Sequence, residues 1–259
     1  MVFPKAPRVI YKKNPLDRVI CQLRFPPILR IDTGIPAQFQ ERIRKEFPDF
    51  CEKEELILPQ QIRQEFPVEL LGRIMPSQTK NYEFSSENAV WKVNLTRTFI
   101  ALSTMKYRKW EEFKDRLDGP LKALVEIYEL GHFSRIGLRY IDIIKRSDLN
   151  LDGVDWNELL QPYILGLLGS TPVNKHIQGL EGKYEIRLDN EGAIARIITG
   201  LVDQDKEVCF LIDTDFYDIR KTDTSEVVNK LENFHVLASR LIQWLITKRL
   251  HKAMKPETL

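Results

Sequence analysis

Two aspartates separated by one residue, in the run Asp213-Thr214-Asp215, are the carboxylates best placed for chemistry. The run belongs to a β-strand pattern, in which side chains at i and i+2 point to one face, about 7 Å apart. With Asp142 or Asp218 nearby, these carboxylates would bind Mg²⁺ through oxygen atoms. They would also divide acid and base roles if their environments push the two pKa values apart. Asp142, Asp213 and Asp215 are therefore the metal-ligand candidates of a metal-dependent hydrolase or nuclease.

The run Phe133–Asp142 gives these aspartates a structural role instead. It has the pattern of a strand in which Arg135 and Arg139 stand among core-forming residues, and unpaired buried charges are costly. Together with Arg24, these arginines have the spacing to form ion pairs with aspartates of a neighbouring strand. We favour this ion-pair ladder, because Asp-x-Asp by itself is a weak motif. The ion-pair ladder requires no cofactor, and Mg²⁺ is expected only if the protein is the alternative metal-dependent hydrolase.

His235 is the third catalytic candidate, beside Asp213 and Asp215. It lies next to the apolar stripe of the last long helix, where a histidine facing the sheet would titrate against an aspartate and act as a base. A hydrogen-bonded histidine at the boundary of the core is the commoner arrangement. The sequence has no Gly-x-Ser-x-Gly motif, no P-loop and no zinc-helix histidine pair. It therefore favours a non-enzymatic protein, with the hydrolase kept as an alternative.

A cluster of cations and aromatic residues, Lys106-Tyr107-Arg108-Lys109-Trp110, has a composition that suits nucleic-acid backbones and base stacking. The acidic residues that follow it favour a different interpretation, the start of a helix whose Trp110 is core and whose lysines are solvated. Nucleic-acid binding therefore stays a weaker alternative. The candidate binding residues of the whole chain are Arg24, Arg135, Arg139, Lys106, Arg108 and Trp110.

The composition is that of an ordinary globular protein, with 259 residues, 43% hydrophobic and 29% charged. Thirty-nine basic against 37 acidic residues give a net charge of +2, too balanced for a protein that coats nucleic acid or membranes. Three scattered cysteines exclude a disulfide framework and favour a reducing compartment. The first residues lack the apolar core of a signal peptide, and no stretch approaches the ~20 apolar residues that span a bilayer. We expect a cytoplasmic protein with no membrane partner.

The first part of the chain begins with residues 1–16, which are rich in proline and basic residues and are expected to form an extended arm. Alternating residues over Arg18–Ile31 predict a strand, bent or lying at a sheet edge where Pro26-Pro27 interrupts it. A helix is expected to open at Pro36 and to stop before Pro48. Residues 48–80 are irregular or hold short strands.

The later elements have clearer patterns. We expect a hairpin or meander over Tyr82–Met105, and helical spacing over Trp110–Tyr128 with a kink or a break at Gly119-Pro120. A helix is expected around Trp156–Leu168. The predicted elements that follow are a hairpin of Lys183–Leu188 and Ala193–Leu201, a strand over Val208–Phe216, a capping box at 223–226, and a long helix whose apolar face begins at Val227.

Strands grouped as hairpins, with helices between the groups, predict an α+β fold of antiparallel sheets with helices packed on one face. The order of elements suggests two similar sheet-plus-helix halves that divide near residue 106. We expect a single α+β domain over residues 17–259, preceded by the arm.

Five motifs follow one another along nearly the whole chain. They are Leu23-Arg24-Phe25-Pro26-Pro27, Trp110-Glu111-Glu112-Phe113, Arg135-Ile136-Gly137-Leu138-Arg139-Tyr140, Asp213-Thr214-Asp215 and Leu231-Glu232-Asn233-Phe234-His235. Together they resemble a sporadically distributed family of uncharacterised bacterial and archaeal proteins of about this length. That family often has asparagine where this chain has Asp142. The resemblance implies a self-contained prokaryotic module, and a sporadic distribution is compatible with mobile or defence-linked genes.

The leading functional hypothesis is a non-enzymatic binding or regulatory protein of a multi-component prokaryotic system, with antiviral defence as one setting. Its partner would be another protein or a second copy, added through the arm or the edge strand near Pro26-Pro27. The alternatives are the metal-dependent hydrolase or nuclease that uses Asp142, Asp213 and Asp215, and a nucleic-acid-binding protein.

Overall fold

The computed structural model describes residues 2–56, 78–188 and 192–258. Their helices are α1 (Ala37–Ile43), α2 (Trp110–Tyr128), α3 (Trp156–Leu159), α4 (Pro162–Leu165), α5 (Val227–Leu245) and α6 (Lys248–Ala253). Their strands are β1 (Val9–Tyr11), β2 (Leu16–Arg24), β3 (Asp49–Leu56), β4 (Gln78–Ser85), β5 (Trp91–Leu95), β6 (Phe99–Thr104), β7 (His132–Phe133), β8 (Arg135–Ile144), β9 (Glu181–Arg187), β10 (Ile194–Gln204), β11 (Glu207–Asp218), β12 (Thr222–Asp223) and β13 (Pro256–Thr258).

Nine of these strands form one sheet in the order β3-β4-β5-β6-β2-β8-β11-β10-β9, and every neighbouring pair is antiparallel. Two small two-stranded sheets, β1-β13 and β7-β12, accompany it. The alternation of apolar and polar residues along β2, β5 and β8 gives the large sheet one apolar face.

The helices pack on that apolar face. Ring contacts show this directly: Phe39 of α1 lies 5.4 Å from Phe84, Phe113 of α2 lies 5.7 Å from Trp91, and Trp156 of α3 lies 5.6 Å from Phe210. The cross-strand register places these sheet residues on one face. The core therefore fills the layer between sheet and helices, and the α+β prediction is confirmed.

Two halves share the sheet, as the order of elements suggested. Each half starts with a central strand, β2 or β8, continues through helical structure and a meander, and returns to pair beside its first strand. A long helix then closes each half, α2 after β6 and α5 after β11. The two central strands pair with each other, from Arg24 opposite Arg135 to Leu16 opposite Asp142.

The N-terminal arm packs on the domain. Its residues Val9–Tyr11 form β1, which pairs with β13 near the end of the described chain. Arg8 forms an ion pair with Glu111 of α2, and the ring of Phe3 lies 6.0 Å from that of Trp244 in α5. One edge of β1 is thus used within the chain, and strand addition by a partner at its other edge stays a prediction.

Strand β2 ends at Arg24, before the two prolines, and lies between β6 and β8. It is an interior strand, so the predicted edge near Pro26-Pro27 is wrong. The edges of the large sheet are β3, which lies within the unassigned stretch 48–80, and β9. Charged residues alternate along β9, and such charges discourage further strand addition. Residues 57–77 lie outside the described residues.

Two helix predictions need correction. The stretch Trp156–Leu168 holds two short helices, because Pro162 cannot continue a helix and instead starts the second one. In contrast, Trp110–Tyr128 is one helix with Pro120 inside it, so two joined helices were the wrong alternative. The capping box at 223–226 forms a 3-10 turn before α5, without a side-chain cap.

The later hairpin is confirmed as β9 and β10, although its turn at 189–191 lies outside the described residues. The predicted strand over Val208–Phe216 is β11. Among the helices in the described ranges, none is long and apolar enough to cross a bilayer.

Candidate functional site

The face of the large sheet opposite the helices, called the open face from here on, contains the predicted arginines and two of the predicted aspartates. Alternation along β8 turns Leu138 and Tyr140 toward the helices, and Arg135 and Arg139 toward the open face. In register, Arg139 is opposite Asp215 of β11, so both side chains share this face. The long helix α5, which contacts β8 and β11, packs on the other face of the sheet.

Two ion pairs join β8 and β11 on the open face. The Nε group of Arg139 donates a hydrogen bond to Asp213 Oδ1 at 2.7 Å, and its Nη2 group donates to the other oxygen. Arg135 Nη2 donates to Asp215 Oδ2 at 2.8 Å. The hydrogen bonds to Asp213 raise the pKa of Arg139. The predicted arginine–aspartate pairing is thus confirmed for Arg135 and Arg139, whereas it is wrong for Arg24, which forms no ion pair within the described residues.

These pairs are less buried than predicted. The side chain of Arg139 is 44% exposed and that of Asp213 is 10% exposed, while Arg135 and Asp215 are 16% and 17% exposed. The interpretation of these arginines as buried charges is therefore wrong for Arg139, whereas Arg135, Asp213 and Asp215 are largely shielded from water. Pairs at a surface of this kind contribute less to stability than fully buried pairs.

Gly137 makes room for the Arg135 side chain. A Cβ atom at Gly137 would lie only 2.4 Å from Arg135 Nη1. The guanidinium therefore lies over the glycine on its way from β8 to Asp215. This is a specific reason for a glycine inside a strand, where it otherwise weakens pairing.

Tyr217 and Arg196 extend the network on the open face. The guanidinium carbons of Arg135 and Arg196 lie 4.9 Å and 5.3 Å from the centre of the Tyr217 ring, within cation–π range. Arg196 also approaches Glu185 of β9, with Nε and Oε1 3.5 Å apart. Sequence reasoning missed Arg196, although the β10–β11 hairpin places it directly opposite Asp215.

Arg24 lies at one end of the network, opposite Arg135. Its exposed side chain donates to Gln22 Oε1 at 3.1 Å, and within the described residues it forms no ion pair. Partial burial and the repulsion of Arg135 lower the pKa of Arg24. Four arginines thus share this part of the open face with Asp213 and Asp215.

Asp142 lies on the opposite face of the sheet. It is paired in register with Ile212 of β11, one residue out of step with Asp213, so it points toward the helices. The prediction that it completes a metal site with Asp213 and Asp215 is wrong. Within the described ranges, no group of three acidic, histidine or cysteine side chains is arranged to hold a metal ion.

Asp218 also faces the helices and has a structural role. Its carboxylate accepts hydrogen bonds from Arg220 and from Lys230 of α5. Burial alone would raise the pKa of Asp218, but these hydrogen bonds outweigh it and lower the pKa to about 2. It therefore anchors α5 to the end of β11.

His235 lies in the helix layer, away from the aspartates of the open face. Its Nδ1 atom is hydrogen-bonded to the Tyr140 hydroxyl at 3.1 Å, and its ring stacks on that of Trp110 at 5.0 Å. Burial, and next the positive charge of Arg8, lower the pKa of His235 to about 4. The idea that it titrates against Asp213 or Asp215 is wrong, and it is a hydrogen-bonded core histidine.

Trp110 is 1% exposed and donates a hydrogen bond from Nε1 to Glu232 at 2.6 Å. It has no free ring face for a base, so its predicted role in nucleic-acid binding is wrong. Lys106 and Arg108 are exposed beside it. The cluster is the start of α2, as the structural interpretation expected.

The geometry thus separates the predicted residues into an ion-pair network on the open face and a buried group around Asp142 and His235. Comparison with models of known protein families gave no match for this chain. A search of curated proteins found no significant match.

Proposed function

We propose that this protein is a non-enzymatic binding protein whose open face docks an acidic segment of a partner protein. The observation that supports this most is the excess of cations there. Four arginines are set against three carboxylates, those of Asp213, Asp215 and Glu185, and Arg24 forms no ion pair within the described residues. An anionic partner would supply the missing charge.

Apolar side chains next to the arginines favour a protein partner. Ile20, Ile141 and Ile198 are half-buried on the open face, beside Arg139 and Asp213 in register, and they lie outside the main core cluster. Arginine combined with apolar surface is typical of protein interfaces. A second copy of the same cationic face would be repelled, so the proposed partner is a different protein.

Nucleic acid is a weaker candidate for this face. Base stacking needs exposed aromatic rings, whereas Tyr217, the aromatic residue of the network, is 8% exposed and flanked by Arg135 and Arg196. The net charge of +2 also gives little long-range attraction to a polyanion.

The wider setting is part of the same proposal. The motif resemblance supports a role as a regulator or partner in a multi-component prokaryotic system, with defence as one setting. Three free cysteines support a cytoplasmic location. The arrangement disfavours a metal-dependent hydrolase, because Asp142 faces away from Asp213 and Asp215.

The test is binding of a fluorescein-labelled short peptide that alternates glutamate and leucine, followed by anisotropy at low and physiological salt. We expect Arg24→Glu to weaken binding by about tenfold, since it reverses a charge that no described ion pair neutralises. Arg44→Glu is the matched control, because Arg44 is exposed outside this face. The affinity of this variant for the peptide should stay within about twofold of the wild-type value.

Two results would contradict the proposal. One is an equal loss of peptide affinity in both variants, which would indicate attraction to the charge of the whole molecule rather than docking on the open face. The other is tighter binding of an oligothymidylate of similar charge, which would favour nucleic acid.

A further inference from the structure

A cavity of about 90 Å³ lies on the helix side of the sheet, under the N-terminal arm. Its floor is formed by β8 and β11, its roof by α5, and one wall by the arm. The space is sufficient for a small organic molecule. Apolar residues form most of the lining, among them Leu16, Ile212, Ile242 and Leu245.

Asp142 projects into this cavity and is the unusual feature of its floor. The residue is 5% exposed, and within the described chain its carboxylate forms no hydrogen bond and no ion pair. Buried carboxylates are normally paired, because an isolated one carries a large desolvation cost. Asp218, which lies further along β11 with two cationic partners, shows the ordinary arrangement on the same face.

Aromatic rings surround the space next to Asp142. Tyr11, Tyr107 and Tyr140 line it, and so does Trp110, whose ring faces are already stacked on Phe113 and His235. The Tyr107 hydroxyl is buried and forms no hydrogen bond of normal geometry with the residues that the structure describes. Aromatic faces attract organic cations, and a buried carboxylate pairs with protonated amines or amidines. The interior of the cavity thus favours a cation over an anion.

The mouth of the cavity has the opposite character. Arg108 and Lys109 line it with exposed side chains, and neither forms an ion pair within the described residues. A third cation, Arg8, is already paired with Glu111. The mouth is therefore suited to an anionic group.

From this arrangement we propose that the cavity binds a small zwitterion, with a protonated amine or amidine held by Asp142 and a carboxylate or phosphate at Arg108 and Lys109. The ligand body would contact the apolar lining between them. This site is independent of the open face and of the partner proposed for it.

The charged and titratable groups near Asp142 give the binding a pH dependence. They are Tyr11 of β1, Tyr140 of β8, His235 of α5 and, across the sheet, Asp213. Burial, and next the charge of Asp213, raise the pKa of Asp142 to about 7. Because the ionised carboxylate binds the amine, affinity should rise as the pH passes from 6 to 8.

The experiment uses the full chain and three probes, namely 4-aminobutyrate, butylamine and butyrate, with binding followed by NMR shifts. We expect 4-aminobutyrate to bind tightest and butyrate weakest. Asp142→Asn, which preserves volume, should weaken 4-aminobutyrate binding at least about tenfold. Asp215→Asn, the same change on the opposite face, should leave it unchanged.

The mouth is tested by a second pair of variants. Arg108→Ala should reduce the preference for 4-aminobutyrate over butylamine, whereas Lys106→Ala, a nearby exposed cation outside the cavity lining, should not. Butyrate binding as tightly as 4-aminobutyrate, unchanged binding in Asp142→Asn, or no binding of any probe by the wild-type protein would overturn the proposal. None of these results affects docking on the open face.

Discussion

The two faces of one strand, β8, place chemically similar groups in very different surroundings. On the open face, Asp213 and Asp215 of the adjacent strand meet arginines and remain partly hydrated. On the helix side, Asp142 of β8 is buried beside a cavity and has no hydrogen-bond or ion-pair partner among the described residues. Asp218, on the same side of the sheet as Asp142, is paired with Arg220 and Lys230. The comparison therefore shows that the cations within reach of a carboxylate, and not the face alone, determine whether it is paired or is left available to a ligand.

The largest contrast between the faces concerns packing. Leu138 is fully buried on the helix side, whereas Ile141 is half-buried on the open face. Leu138→Ala should lower the free energy of unfolding by about 4 kcal/mol, and Ile141→Ala by about 1 kcal/mol. Urea unfolding measures both. Equal losses would mean that the open face is covered in solution.

The pH dependence of stability provides a second contrast, within the buried layer itself. The folded protein keeps the Asp142 proton up to about pH 7, while the unfolded chain releases it near 3.8. The contribution of Asp142 to the free energy of unfolding is therefore complete below pH 3.8 and is lost as the pH rises to 7. His235 has a pKa of about 4 when folded and 6.5 when unfolded, so its contribution is complete above 6.5 and is lost as the pH falls. The two effects oppose each other.

Stability of the wild-type protein should therefore vary little from these two groups between pH 4 and 6.5. In Asp142→Asn, the His235 effect remains, and stability should rise by up to about 3 kcal/mol over that range. In His235→Gln, the Asp142 effect remains, and stability should fall by a similar amount as the pH rises over the same range. Urea unfolding at several pH values measures the free energy of unfolding of both variants. If it changed with pH in the same direction in both, the opposite pKa shifts of Asp142 and His235 would be contradicted. The groups around His235 that also contribute are Arg8, Glu111 and Glu232.

Removing one ion pair from the open face should have a smaller effect. Arg139→Leu should cost about 1 kcal/mol, because the arginine is 44% exposed and water screens its attraction to Asp213. Arg24→Leu should change stability by less than about 0.5 kcal/mol, since no described carboxylate loses a partner. Thermal unfolding of both variants tests this ranking. A cost of several kcal/mol for Arg139→Leu would mean a buried network instead.

The smallest effect is expected at Gly137. The atom that a new Cβ would meet is the far end of the flexible Arg135 side chain, so Gly137→Ala should cost less than about 1 kcal/mol. It should nevertheless displace Arg135 from Asp215. In a double-mutant cycle, Asp215→Asn should then no longer change the free energy of unfolding in the Gly137→Ala background. An unchanged effect would show that the pair forms without the space over the glycine.

Much of the fold follows from local patterns in the sequence. Alternation along Phe133–Asp142 predicts a strand, and its arginines predict carboxylate partners, because both follow from side-chain period and the cost of buried charge. Because side chains of a strand alternate between the two faces of the sheet, the same run also predicts Asp142 on the face of Leu138 and Tyr140 rather than on that of Arg139. That signal was present, and the metal-site prediction overlooked it.

Other features depend on contacts between distant segments, which local patterns do not encode. The pairing of β2 with both β6 and β8 makes it an interior strand, although its prolines suggest an edge. The hydrogen bond between Tyr140 and His235 joins residues 95 positions apart. The cavity likewise requires the arm to pack across α5. Such arrangements become visible only when the sheet is assembled.

The most direct test of the separation between the two faces is a crossed binding measurement with Arg24→Glu and Asp142→Asn. Arg24→Glu should lose affinity for the glutamate–leucine peptide and keep 4-aminobutyrate binding, and Asp142→Asn should do the reverse. A single variant that removes both activities, with the fold intact, would contradict the assignment of separate roles to the open face and the cavity.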